Sequence, residues 1–148
     1  MTTIKELSNL KGRRALVTGA MGGLGKIMAE TLAELGADLV LVDVPGTDFD
    51  NMSMNLSERW NINVEYQICD LEKGTQRTEL MAWLKRSGQT LNILINNAAF
   101  VGASDLQGWS EPFEQQTIET WRRALEVNLT SIFDLCQGLT PLLKDAEG

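Results

Sequence analysis

Short apolar runs and longer periodic segments take turns along this chain. Arg14-Ala-Leu-Val-Thr18 is a short apolar run that stops at a glycine-rich turn, as a buried strand would. Leu24, Ile27, Met28, Thr31, Leu32 and Leu35 then recur at helical spacing, and Gly36 supplies a C-terminal stop. Leu39-Val-Leu-Val42 is continuously apolar, the mark of a strand covered on both faces. After a turn at Pro45-Gly46, Phe49, Met52, Leu56 and Trp60 make a second helical stripe.

Val64, Tyr66 and Ile68 alternate with Glu65 and Gln67, which predicts a third strand with one apolar and one wetter face. Lys73 to Ser87 reads as a helix with Leu80, Met81 and Leu84 inward, and Leu91 to Ile95 as a fourth strand ending at Asn96-Asn97. A mixed loop leads to a long helix from about Thr117 to Lys144. Trp121, Leu125, Ile132, Cys136 and Leu139 form its stripe, and Pro141 falls where it would bend or stop it. Repeated strand–helix alternation predicts an α/β fold: a doubly wound parallel sheet with helices on both faces, strand order 3-2-1-4. The fourth strand is too apolar for an edge, so the sheet reads as incomplete on its C-terminal side.

Charge narrows the function classes. A net charge of −7 opposes a nucleic-acid partner, which needs a basic patch. The basic pairs Arg13-Arg14 and Arg122-Arg123 read as solvated faces. No apolar run is long enough for a membrane span and the N-terminus has no signal-like apolar core, so the expected location is cytoplasmic. Cys69 and Cys136 are far apart and read as free thiols. Histidine is absent, which removes His-based triads and most zinc sites; no metal site is expected.

The stretch VTGAMGGLGK, Val17 to Lys26, carries the candidate chemistry. A glycine loop before a helix presents unpaired N–H groups to an anion. A triphosphate loop would need glycine at position 20 and a hydroxyl at position 27, where Ala20 and Ile27 stand. The spacing Thr18-Gly19-x-x-x-Gly23-x-Gly25 instead resembles the nucleotide loop of the short-chain dehydrogenases/reductases. Gly19 permits a tight turn, Gly23 and Gly25 bring the backbone close to a pyrophosphate, and Leu24 is expected to offer its N–H while its side chain packs inward.

Further positions match that family in order. Asp43 ends the second strand, where the resemblance implies contact with the adenosine ribose; with no cation beside it, NAD is expected over NADP. Asp70-Leu71 matches the pair that flanks the adenine ring. Asn97-Ala98-Ala99, after Asn96, resembles the family's N-N-A-G segment with Ala99 in place of glycine, a change that matters only if the backbone there needs a positive φ. The Asn pair suits either a structural tie or cofactor contact. Asn128 matches the family asparagine that helps hold a water near the catalytic lysine; the alternative is a polar residue tied to its own helix.

The resemblance also implies what is missing. The family's catalytic serine and Tyr-x-x-x-Lys lie downstream of that asparagine, and the sole tyrosine, Tyr66, is followed four residues on by Asp70. Tyr66 is therefore expected to be a packing residue. Residues 1–148 are expected to form the N-terminal part of a single Rossmann domain of a parent oxidoreductase, one acting on an alcohol/carbonyl pair of a small molecule, and to be inactive and poorly folding by themselves. A non-catalytic dinucleotide-binding module is the alternative. Phe100, Trp109 and Phe113 either roof a substrate pocket or pin their loop to a helix. The long helix, apolar on more than one side through Leu129 and Phe133, suggests a homodimer or homotetramer for the parent.

Overall fold

The computed structural model describes residues 3–101 and 108–146. Its elements run α1 (Ile4–Leu7), β1 (Arg14–Thr18), α2 (Gly23–Glu34), β2 (Asp38–Asp43), α3 (Phe49–Trp60), β3 (Val64–Ile68), α4 (Gly74–Arg86) and β4 (Ile93–Ile95). A 3-10 turn at Phe113–Gln115 precedes α5 (Ile118–Leu125), a π-helical turn Glu126–Thr130 and α6 (Ser131–Asp145). The four strands are parallel in the order β3-β2-β1-β4, as the alternation predicts. Val17 sits between Leu41 and Ile95, at the centre of the sheet.

Strand pleating divides the core in two. Ala15, Val17, Leu39 and Leu41 point to the side covered by α2 and α3, where Ala29, Ala33, Phe49 and Leu56 meet them. Leu16, Val40 and Val42 point to the other side, against Leu80 and Leu84 of α4 and Leu135 and Leu139 of α6. Arg14 is buried rather than solvated: it pairs with Glu65 at 2.6 Å and lies 5.8 Å from the Trp83 ring centroid. Tyr66 packs as expected, stacking on Phe49 with centroids 4.9 Å apart and donating to Asp50 at 2.9 Å.

Two helix faces differ from the stripes read in the sequence, for one reason. In α2 the buried residues are Gly25, Ala29, Leu32 and Ala33, while Leu24 and Ile27 face outward. Along α5, the π turn and α6 the inward residues include Thr120, Ala124, Val127, Ser131, Leu135 and Leu139, while Trp121 is 51 % and Phe133 65 % exposed. Small side chains let these helices lie close to their neighbours, and the large apolar residues are turned away. Gly138 marks the contact: a Cβ there would stand 2.1 Å from Met81 Sδ on α4. The expected single helix is divided by the π turn, whose extra residue rotates the buried face. Helix α6 runs through Pro141 to Asp145, so that proline ends nothing.

Candidate functional site

A cleft of about 500 Å³ opens across the C-terminal ends of the strands. In open α/β sheets this is where the strand order reverses and the connections part to either face, leaving room for a ligand. The β1–α2 turn forms one wall. Gly19 has φ +63°, and a Cβ on it would press to 2.8 Å from the Ala98 Cα, so glycine is required there twice over. Helix α2 has no side-chain cap, and the N–H of Lys26 makes its first bond, to the Gly22 carbonyl at 3.0 Å. The amides of Gly23, Leu24 and Gly25, the first of the helix, have no carbonyl of their own helix to bond. Gly23 meets only open space where its Cβ would be, so the main chain is bare on the side of the cleft it lines.

One expectation about this turn is corrected, and the role of a glycine becomes specific. Leu24 lines the cleft, but its side chain is 67 % exposed rather than packed inward. Gly25 does not line the cleft. A Cβ there would fall 2.0 Å from the Gly19 carbonyl oxygen, so this glycine lets the helix sit on its own entering turn.

Asp43 closes β2 at the far side of that turn. Its two carboxylate oxygens accept from the Met21 and Val44 N–H groups, each at 2.8 Å, which aims the carboxylate at the cleft mouth. Beyond it, Asp70 and Leu71 line the same space. Asp70 is held by the Glu72 N–H at 3.1 Å and Lys73 Nζ at 3.2 Å. Cys69 also lines the cleft; burial, then the negative charge of Asp70, pushes its thiol up to about 11, which makes it a poor nucleophile.

The opposite wall is Asn97, Ala98, Ala99 and Phe100. Asn97 Nδ2 donates to the Thr18 and Gly19 carbonyls at 3.1 and 3.0 Å, so this amide ties β4 to the glycine turn while it lines the cleft. The Thr18 hydroxyl accepts from the Asn97 and Ala98 N–H groups, both at 3.1 Å. Ala99 carries no positive φ, so the missing glycine causes no strain. Asn128 is tied not to its own helix but to Phe100: its Oδ1 accepts from the Phe100 N–H at 2.7 Å and its Nδ2 donates to the Phe100 carbonyl at 3.0 Å. Asn128 itself does not line the cleft, whereas its neighbour Val127 does.

Among the aromatics of the loop, Phe100 lines the cleft and Phe113 is 87 % exposed. Part of that loop, residues 102–107, lies outside the described residues. Sequence reasoning overlooked Arg77, a buried cation at a core position of α4. The signal was available, since Arg77, Leu80, Met81 and Leu84 share one helical stripe. Burial works against its charge, but Asp134 and Glu126 more than offset this and hold its pKa above the usual arginine value. Among the described residues no cluster of His, Cys, Asp and Glu could hold a metal ion, and no helix is long and apolar enough to cross a membrane.

Residues 13–148 match the model of the short chain dehydrogenase family. The chain belongs to the short-chain dehydrogenase family. Among its relatives, a tropinone reductase homolog of Arabidopsis thaliana is 33% identical over 140 residues, covering 94% of this chain and 50% of that protein. A rhamnolipids biosynthesis 3-oxoacyl-[acyl-carrier-protein] reductase of Pseudomonas aeruginosa is 31% identical over 136 residues, 92% of this chain and 50% of that one. A solved short-chain dehydrogenase from Sphingobium yanoikuyae in complex with NADPH superposes with a TM-score of 0.76 at 29% identity, covering 90% of this chain and 50% of its own. This short-chain dehydrogenase chain therefore spans about half the length of these relatives.

Proposed function

We propose that the chain is the dinucleotide-binding part of an NAD(P)-dependent oxidoreductase acting on the alcohol/carbonyl pair of a small molecule. The observation that carries this reading is the uncapped start of α2, with bare Gly23 beside it, opening into a cleft that Asp43 and Asp70–Leu71 close at the far end. The Gly23 and Leu24 amides would take the diphosphate, where the helix dipole favours an anion. Asp70 and Leu71 would flank the adenine, and Asn97, Ala98 and Ala99 the sugar toward the nicotinamide. The bound cofactor would supply the hydride chemistry. Asn128, whose two side-chain polar atoms both hold the Phe100 backbone, would serve the family's water relay by fixing that wall of the cleft and not by gripping the water with its side chain.

Asp43 decides the choice of dinucleotide. Its carboxylate, fixed by two main-chain N–H groups, accepts hydrogen bonds from ribose hydroxyls and repels a 2′-phosphate; this supports NAD over NADP, in contrast to the NADPH seen in the Sphingobium relative. Titration of the full-length protein with NADH and NADPH, followed by tryptophan quenching, is expected to give at least tenfold tighter binding of NADH. Asp43→Ala should narrow that gap. Equal or tighter binding of NADPH by the unaltered protein would overturn the preference, and binding of neither would overturn the reading.

The outward apolar face of α5 and α6, with Ile118, Trp121, Leu125, Leu129 and Phe133 exposed, supports a homodimer or homotetramer built on this helix. The 148 residues contain no Tyr-x-x-x-Lys, so hydride transfer is assigned to the parent protein and not to this stretch alone.

A further inference from the structure

The Asp70–Glu72 segment has no regular structure, yet two of its residues line the cleft. Its own turn bonds, Lys73 N–H to the Asp70 carbonyl at 2.9 Å and Asp70 N–H to Gln76 Oε1 at 2.7 Å, hold it to the start of α4 only. Two arginines fix it against the rest of the site, and the buried one is Arg77. That side chain is 7 % exposed and uses three nitrogens on three separate pieces of chain. Nη1 donates to the Leu71 carbonyl at 2.5 Å, Nη2 pairs with Glu126 at 2.8 Å, and Nε pairs with Asp134 at 2.7 Å. Gly74 leaves the room this needs, since a Cβ there would come within 3.3 Å of Nη2.

The two acids bracket the helical irregularity that carries Asn128. Glu126 opens the π turn, and Asp134 lies in the first turn of α6. A second, outer strut runs in parallel: Arg123 grips Glu72 with bonds of 2.6 and 2.9 Å and sits 5.8 Å from the centroid of the Phe100 ring, whose backbone Asn128 holds. One end of the cleft is thus braced to the other through α5 and α6.

From this, and resting on the dinucleotide reading above, we infer that Arg77 is a positioning residue for the cleft: its fork sets the Leu71 main chain against the helix that bears Asn128. A lysine keeps the charge but cannot reach three acceptors in fixed directions. The test uses the full-length protein with Arg77→Lys and Arg77→Met, measuring dissociation constants for NADH and ADP-ribose beside the melting temperature. Leu84→Ala, on the same helix and in the same core but off the cleft, is the control.

Both arginine variants are expected to lose about tenfold in affinity for both ligands, while Leu84→Ala melts at least as early and binds within twofold of the unaltered protein. Wild-type affinity in either arginine variant, or a loss in Leu84→Ala that matches theirs, overturns the inference. If neither arginine variant folds, Asp134→Asn, which keeps the side-chain shape and removes one charged anchor, decides by the same comparison with a threefold loss expected. An unaltered protein that binds no adenine nucleotide overturns the dinucleotide reading itself, and the inference with it.

Discussion

The β1–α2 turn and the α5–α6 junction do comparable work by different means. Each sits at the cleft and each departs from regular geometry. At the turn, the departure lies in glycines whose conformations or neighbours exclude a side chain: Gly19 at φ +63° against Ala98, and Gly25 against the Gly19 carbonyl. At the junction, it is a π turn of ordinary residues, held from outside by the Asn128–Phe100 bonds and by Arg77. Local constraint is written into residue type. Constraint imposed by tertiary partners is not, and that difference decides what a mutation costs in each place.

The largest effect should come from Gly25→Ala. Its Cβ would overlap main-chain atoms that cannot rotate away, so we expect about 3 kcal/mol of destabilisation or outright failure to fold, read by urea denaturation. A loss below about 1 kcal/mol would show that the turn yields, and the contrast with the junction would disappear.

Asn128→Ala comes next. It leaves the Phe100 N–H and carbonyl without their partners, and about 2 kcal/mol should go, with the loss in dinucleotide affinity exceeding what the shifted folding equilibrium explains. Equilibrium unfolding combined with binding at low temperature separates the two. An unchanged affinity would make the junction a stability device alone.

Gly138→Ala should be mildest, at about 1 kcal/mol, although its new Cβ also starts at an impossible 2.1 Å from its neighbour. Here the neighbour is Met81 Sδ, the far part of a flexible side chain, and not backbone. The same chemical change at Gly25 and Gly138 thus measures how far packing can adjust in each region. A shorter side chain at Met81 should relieve the second and leave the first untouched.

The same division explains what could be read from the amino acids. Four strands, their order and the glycine turn were legible because strand runs and glycine spacings act locally, whereas Asp43, Asp70–Leu71 and the Asn97 segment, which line one cleft, stood out only through the family resemblance. The faces of α2 and of α5–α6 were misread because a search for large apolar residues overlooks helices that approach through Gly25, Ala29 and Ala33, or through Ala124 and Ser131. Leu24, placed inward by that search, stands out over the cleft instead. The partner of Asn128 was invisible, since nothing in composition links it to a backbone 28 residues earlier. Arg77 was visible only as a polar interruption of an apolar stripe.

Strand β4 is bonded to β1 alone among the described residues, and no described strand lies on its other flank. Any further strand that docks there in parallel takes its direction and stagger from β1 through β4. Its carboxyl end then arrives level with Asn97 and Phe100, at the lip of the cleft. A reacting side chain placed on that end would be brought to the ligand by sheet growth itself, with no separate device to align it.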